Sequence, residues 1–153
     1  MNLITRDTDY AVRALCYMAR RPEQVVSVTE LCSELGLPRH YLRRILQMLA
    51  RHRSNDILGS YRGKGGGFQL RKDPAKIFLT DLIEAFQGKT DFIRCVFRAS
   101  VCPRQEGCSL RRKIKEIEKK AVAELRATTI ASLVADRRSM RSGRGGAERI
   151  AGT

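Results

Sequence analysis

"SVTELCSELGLPRHYLRRILQMLAR", residues 27–51, reads as two helices around a tight turn. Ser27 stands three residues before Glu30, the reciprocal capping-box spacing that opens a helix. Gly36 follows Leu35 where a helix closes on a left-handed residue. Pro38 then sits where a first helical position tolerates a missing N–H, and Leu42, Ile45, Leu46 and Leu49 recur behind it on one side. A short helix, a glycine turn and a longer helix are the signature of a helix-turn-helix.

The other side of the longer helix carries Arg39, His40, Arg43, Arg44, Gln47 and Arg51. Such a stripe of long hydrogen-bond donors suits a DNA major groove; it is equally what a solvated face of any amphipathic helix offers. The next segment favours DNA. "DILGSY" (56–61) and "GFQLR" (67–71) alternate as two short strands, and "RGKGGG" between them supplies the glycines of a flexible hairpin tip, a wing. Residues 39–72 hold nine Lys or Arg against Asp56 alone, a net of +8 out of +14 for the whole chain of 153 residues. A cationic excess concentrated in this way favours a polyanionic partner, nucleic acid ahead of an anionic membrane surface. "GKGGG" lacks the glycine, four-residue spacer and Lys-Ser/Thr of a nucleotide-phosphate loop. Arg62 is better placed as a minor-groove probe, with Lys64 on the backbone beside it.

Outward from this centre, Tyr10, Ala11, Ala14, Leu15 and Met18 predict a first helix over residues 8–20, stopped at Pro22. After "KDPAK", Thr80 is placed to cap a fourth helix that Gly88 closes. From Ser109 a long helix is expected, with Leu110, Ile114, Ile117, Ala121, Leu125, Thr128 and Ser132 spaced 4, 3, 4, 4, 3 and 4 apart. That narrow seam suits pairing with a second copy of the chain; folding back on its own domain is the alternative. The expected fold is mostly α: a winged helix-turn-helix with a two-stranded β wing and a long C-terminal dimerisation helix. Its parts are a DNA-binding domain over 1–88, a cysteine-bearing loop over 89–108, the dimerisation helix over 109–135, and a basic, disordered tail over 136–153.

The loop raises the chemical question. "CVFRASVCPRQEGC" places Cys95, Cys102 and Cys108 on one irregular stretch with Pro103 and Gly107. Zinc sites show close Cys-x-x-Cys pairs or paired histidines, and the only histidines, His40 and His52, lie on or beside the recognition helix. Three thiolates without a strong fourth ligand suit an iron-sulfur cluster, whose irons prefer soft sulfur donors. Thiol redox switching or a different metal remain the alternatives. Cys16 and Cys32 fall within apolar helical patterns and read as buried, inert thiols. No histidine accompanies the trio to make a catalytic pair, so the chain reads as a non-enzyme with no small-molecule substrate. No run of about 18 apolar residues is present and the first ten residues mix charges of both signs, so no membrane association and a cytoplasmic location are expected.

Winged helix, wing tip, cysteine loop and long helix occur in this order, and "TDYAVRAL" (8–15) and "YRGKGGGFQL" (61–70) are specific pieces. On these the chain resembles the Rrf-two family of bacterial winged-helix transcriptional regulators, and the three cysteines resemble its iron-sulfur, IscR- and NsrR-like branch. The resemblance implies a homodimer on a double-stranded, pseudo-palindromic DNA operator, with the third helix in the major groove and Arg62 in the minor groove. It implies a repressor sensing redox state, nitric oxide or iron-sulfur status through a 4Fe–4S or 2Fe–2S cluster. Arg111 stands where IscR-like members have a histidine, whereas Asp9 matches the aspartate that completes the cluster from the other subunit in NsrR-like members. A metal-free winged-helix regulator using cysteine oxidation or a protein partner is the alternative.

Overall fold

The structure is a computed structural model that describes residues 4–51, 56–88 and 107–143. Six α-helices, a two-stranded sheet and one 3-10 turn follow in the order α1 (Arg6–Met18), α2 (Val28–Leu35), α3 (Arg39–Arg51), β1 (Leu58–Tyr61), β2 (Gly67–Leu70), the turn Pro74–Lys76, α4 (Leu79–Gln87), α5 (Ser109–Ala127) and α6 (Ile130–Gly143). This is the mostly helical winged helix-turn-helix expected from the sequence.

Local chemistry sets the helix ends. Ser27 Oγ accepts from the Glu30 N–H at 3.1 Å, and Gly36 closes α2 in the left-handed region at φ 63°. The Glu30 carboxylate turns instead to α1, where the Tyr17 hydroxyl donates to it at 2.9 Å. That hydrogen bond raises the Tyr17 phenol above its ordinary range, with burial adding to it. Helix α1 begins two residues earlier than its apolar pattern suggests, because Thr5 is its cap and Thr5 Oγ1 accepts from the Thr8 N–H at 3.5 Å. Helix α4 also starts before Thr80: Phe78 is its N-cap residue, and the Phe78 N–H donates to the Asp81 carboxylate at 3.3 Å, the return half of a capping box.

The core is built by stripes from each element. Ala11, Ala14, Leu15 and Met18 of α1 meet Leu42, Ile45, Leu46 and Leu49 of α3, all at most 1% exposed. Leu31, Leu58, Phe68, Leu70, Ile77 and Leu82 belong to the same cluster. The wing strands pair antiparallel in the register Leu58↔Leu70 to Tyr61↔Gly67, with residues 62–66 as the tip. A third rung ties the wing to the connection between α1 and α2. The Val26 N–H donates to Phe68 O at 2.8 Å and the Phe68 N–H to Val26 O at 2.9 Å. Gly67 permits this approach, since a Cβ there would lie 2.3 Å from Val26 O.

The expected single helix over 109–135 is two. Thr128 is extended at φ −86°, ψ 124°, and its hydroxyl donates to Glu124 O at 2.8 Å. Thr129 then caps α6 reciprocally with Ser132: Thr129 N–H to Ser132 Oγ at 3.1 Å, and Ser132 N–H to Thr129 Oγ1 at 3.2 Å. The Leu79 N–H donates to Thr128 O and the Ile130 N–H to Ile77 O, so the break is stitched to the segment leading into α4. Helix α6 folds back on its own core, where Ile130 and Val134 are buried. It runs to Gly143, so residues 136–143, expected as part of a disordered tail, are helical; the rest of that tail lies outside the described residues. The seam that stays open is the first half of α5, where Leu110 is 66% and Ile117 56% exposed.

Gly67→Ala should drive a methyl into the Val26 carbonyl and cost about 1–3 kcal/mol, the usual range for overpacking. Urea unfolding followed by far-UV circular dichroism measures it; an unchanged midpoint would show that the Val26 rung does not set the wing base.

Candidate nucleic-acid interface

Burial of the Leu42, Ile45, Leu46 and Leu49 side chains orients α3. With 3.6 residues per turn, the positions between them must point outward. Arg39, His40, Arg43, Arg44 and Arg51 are exposed, and Gln47 is half-buried among them. Arg39, Arg43 and Gln47 are spaced four apart and lie along one ridge. His40 packs edge-on to Tyr41 with ring centroids 6.0 Å apart. Arg39, Arg43 and Arg51 form no ion pair among the described residues, so their charges are directed to solvent.

Arg44 differs. Its Nη2 donates to both Asp7 carboxylate oxygens, at 3.2 and 3.4 Å, and its guanidinium carbon lies 4.6 Å from the centre of the Tyr41 ring. The sequence reading grouped Arg44 with the other arginines, and a partner 37 residues away in sequence left no periodic signal.

Arg62 and Lys64 are exposed on the wing tip, on either side of Gly63 and with Gly65 next, both glycines at positive φ. Tyr61, 44% exposed at the base of the tip, presents an aromatic ring beside them that the sequence reading did not single out. Helix α3 packs against β1, which sets the wing beside the stripe. At the base of the wing Arg71 pairs with Asp56 at 3.4 Å, and Lys72 pairs with Asp81 of α4 at 3.4 Å. The first pair is exposed and contributes little to stability. His52 and Arg53 lie outside the described residues.

Of the cysteine trio, Cys95 and Cys102 lie outside the described residues. Cys108 is a free, half-buried thiol at the N-cap of α5. Beside it opens a cleft of about 640 Å³ lined by Arg111, Arg112, Lys115 and Lys119, with Glu116. Asp9 pairs with Arg13 at 3.0 Å on the surface of α1, its side chain 41% exposed. Among the described residues no group of three or more His, Cys, Asp or Glu side chains is gathered to hold a metal. Cys16 is buried and Cys32 half-buried, and neither forms a disulfide among the described residues. No helix among the described residues is long and apolar enough to cross a membrane.

Residues 4–136 match the model of the Rrf2 family, described as iron-dependent transcriptional regulators. A protein of Aquifex aeolicus, itself assigned by inference as an HTH-type transcriptional regulator, is 28% identical over 127 residues, 82% of this chain and 86% of that protein. Among solved structures, IscR of T. potens is 25% identical with a TM-score of 0.63, covering 88% of this chain and 87% of that one. CymR of B. subtilis, described as its global cysteine regulator, has a TM-score of 0.67 at 24% identity, covering 88% of this chain and 98% of that one, a likeness of fold.

Proposed function

This chain belongs to the Rrf2, or Rrf-two, family of transcriptional regulators, and from that premise we propose how it reads DNA and what governs its grip. Helix α3 enters the major groove of a double-stranded operator and the wing follows the minor groove. The observation that carries this reading is the opposition of two faces on α3: four apolar side chains at most 1% exposed on one, and a row of exposed arginines on the other. Arg39, Arg43, Arg44, Arg51 and Lys64 contact phosphates and supply most of the affinity, which makes binding steeply salt-dependent. His40, Arg43 and Gln47 face base edges, where their donors read the groove pattern. Arg62 enters the minor groove, sensing its width and negative potential.

The working form is a homodimer acting as a repressor, since two recognition helices on a pseudo-palindrome need a two-fold partner. Leu110, Ile114, Ile117 and Ala121 of α5 form the pairing surface. Two of them, Leu110 and Ile117, are large apolar side chains more than half exposed, which a lone chain would leave in water.

The ligand set for an iron-sulfur cluster is Cys95, Cys102 and Cys108 with Asp9 of the partner subunit. The donor chemistry fits: soft thiolates for iron and one carboxylate at the fourth position. Cys108 is free, Asp9 is on the surface where another subunit can reach it, and the cationic cleft beside Cys108 opposes the negative charge of bound thiolates. When bound, such a cluster supplies redox and nitric oxide reactivity at its weakly held iron. The chain's own contribution is positional. Cys108 is the N-cap residue of α5, so its position bears on the helix that sets the spacing of the two DNA-binding units.

Alanine at both Arg62 and Lys64 should weaken DNA binding and lower the slope of log K against log salt by roughly 0.9 per lost phosphate contact. Fluorescence anisotropy titrations at several salt concentrations give that slope, and a slope and affinity equal to the parent's would remove the wing from the interface. Leu110→Lys with Ile117→Lys should convert the dimer to monomer, as light scattering reads; a persistent dimer places the pairing surface elsewhere. Protein purified without air should be coloured and contain iron and sulfide, both lost on replacing Cys95, Cys102 and Cys108 by Ala. Colourless, iron-free protein that binds DNA equally well would move sensing to cysteine oxidation or a protein partner.

A further inference from the structure

We propose that Asp7 is a positioning residue for DNA recognition: with Tyr41 it holds the Arg44 guanidinium in one orientation on the outer face of α3. The inference rests on the reading of α3 as the recognition helix and adds to it a residue from a different helix.

Four contacts carry it. Arg44 Nη2 donates to both carboxylate oxygens of Asp7, at 3.2 and 3.4 Å. The guanidinium lies 4.6 Å above the Tyr41 ring. Tyr41 is braced edge-on by Tyr10, with centroids 5.8 Å apart and ring planes at 78°. Asp7 and Tyr10 lie three residues apart on α1, hence on one face, so a single turn of α1 supplies both the carboxylate and the ring that backs the stacking ring. That turn is itself anchored on its other side. Thr8 is fully buried, its hydroxyl 3.1 Å from Thr5 Oγ1, and Gln87 Nε2 of α4 donates to it at 3.3 Å.

An arginine on an exposed helix face samples many rotamers, and ordering it on binding costs about 0.5–1.5 kcal/mol. Here only Nη2 is engaged by Asp7. The Arg44 side chain stays 56% exposed, so the remaining donors of its planar fork are presented outward in a fixed direction. Stability does not account for the arrangement, because an ion pair this exposed contributes little.

The two roles open to Asp7 differ in sign. A carboxylate beside a polyanion repels it, so if Asp7 were merely a surface charge, removing it would tighten DNA binding. If it positions Arg44, removing it weakens binding in spite of the lost repulsion. The test is a double-substitution cycle of Asp7→Asn and Arg44→Ala in full-length protein prepared anaerobically, titrated against a labelled duplex that the parent protein selects from a random-sequence pool. The expected result is a loss of about three- to tenfold for Asp7→Asn, in the range of the ordering cost. In the Arg44→Ala background Asp7→Asn should cause no further loss. Unchanged or tighter binding by Asp7→Asn overturns the proposal, as does an equal loss in both backgrounds. Arg39→Ala and Arg43→Ala separate the two layers. If both weaken binding while Asp7→Asn does not, positioning alone fails. If neither they nor Arg44→Ala changes binding, the recognition-helix reading fails and this inference with it.

Discussion

Everything on the outer surface of α3 follows from what its inner surface must do. Leu42, Ile45, Leu46 and Leu49 are withdrawn from water almost completely, and each such side chain contributes about 1.5–3 kcal/mol. A rotation of the helix that exposed them would forfeit several kcal/mol, a large part of the stability of a small domain. The helix therefore has one rotational setting, and the arginines between the leucines have no choice of direction. Their mutual repulsion is a lesser cost, screened by solvent over about 10 Å at ordinary ionic strength. Apolar burial thus makes the cationic face, and the charges exploit an orientation they did not create.

What could be read from the sequence was what repeats or caps locally. Ser27 before Glu30, Gly36 after Leu35, the leucine stripe of α3 and the alternation around "RGKGGG" each act within a few residues, and each appears in the structure where expected. What escaped was held by distant partners. The Val26 rung joins residues 42 apart in sequence and leaves no pattern in either segment. The Asp7–Arg44 pair likewise hides among ordinary surface charges. The break at Thr128–Thr129 is a different case. Thr129 and Ser132 have the spacing of a capping pair, but the apolar seam runs in phase straight through them, and periodicity outweighed the cap. For the cysteine loop the sequence carries the donor types, while Cys95 and Cys102 lie outside the described residues.

The arginines of the proposed DNA-binding face fall into two physical kinds. Arg39, Arg43 and Arg51 form no ion pair among the described residues, and such long, adaptable side chains would suit phosphate contacts and affinity. Arg44 is braced by a carboxylate from α1 and by the Tyr41 ring one turn back on α3, which suits direction at the expense of part of its charge. One helix therefore presents both compliant and stiff donors, and the stiff one is tied to the first turn of α1, the turn that Gln87 of α4 also holds. In sequence the cysteine-bearing segment follows α4, an element whose Gln87 is in contact with the turn that supports Arg44 of α3.

The threonine pair has a consequence for how this chain can change over time. Thr128 O accepts from the Leu79 N–H and the Ile130 N–H donates to Ile77 O, so the C-terminal end of α5 is a fixed datum and the azimuth of Leu110 and Ile117 is set by counting residues back from it. Each residue turns an α-helix by about 100°. A single-codon insertion or deletion within 109–124 would thus swing the exposed seam to another quarter of the compass while leaving the buried Leu125 in place. Length drift in this helix is tolerable only in steps that restore its phase, near seven residues at a time.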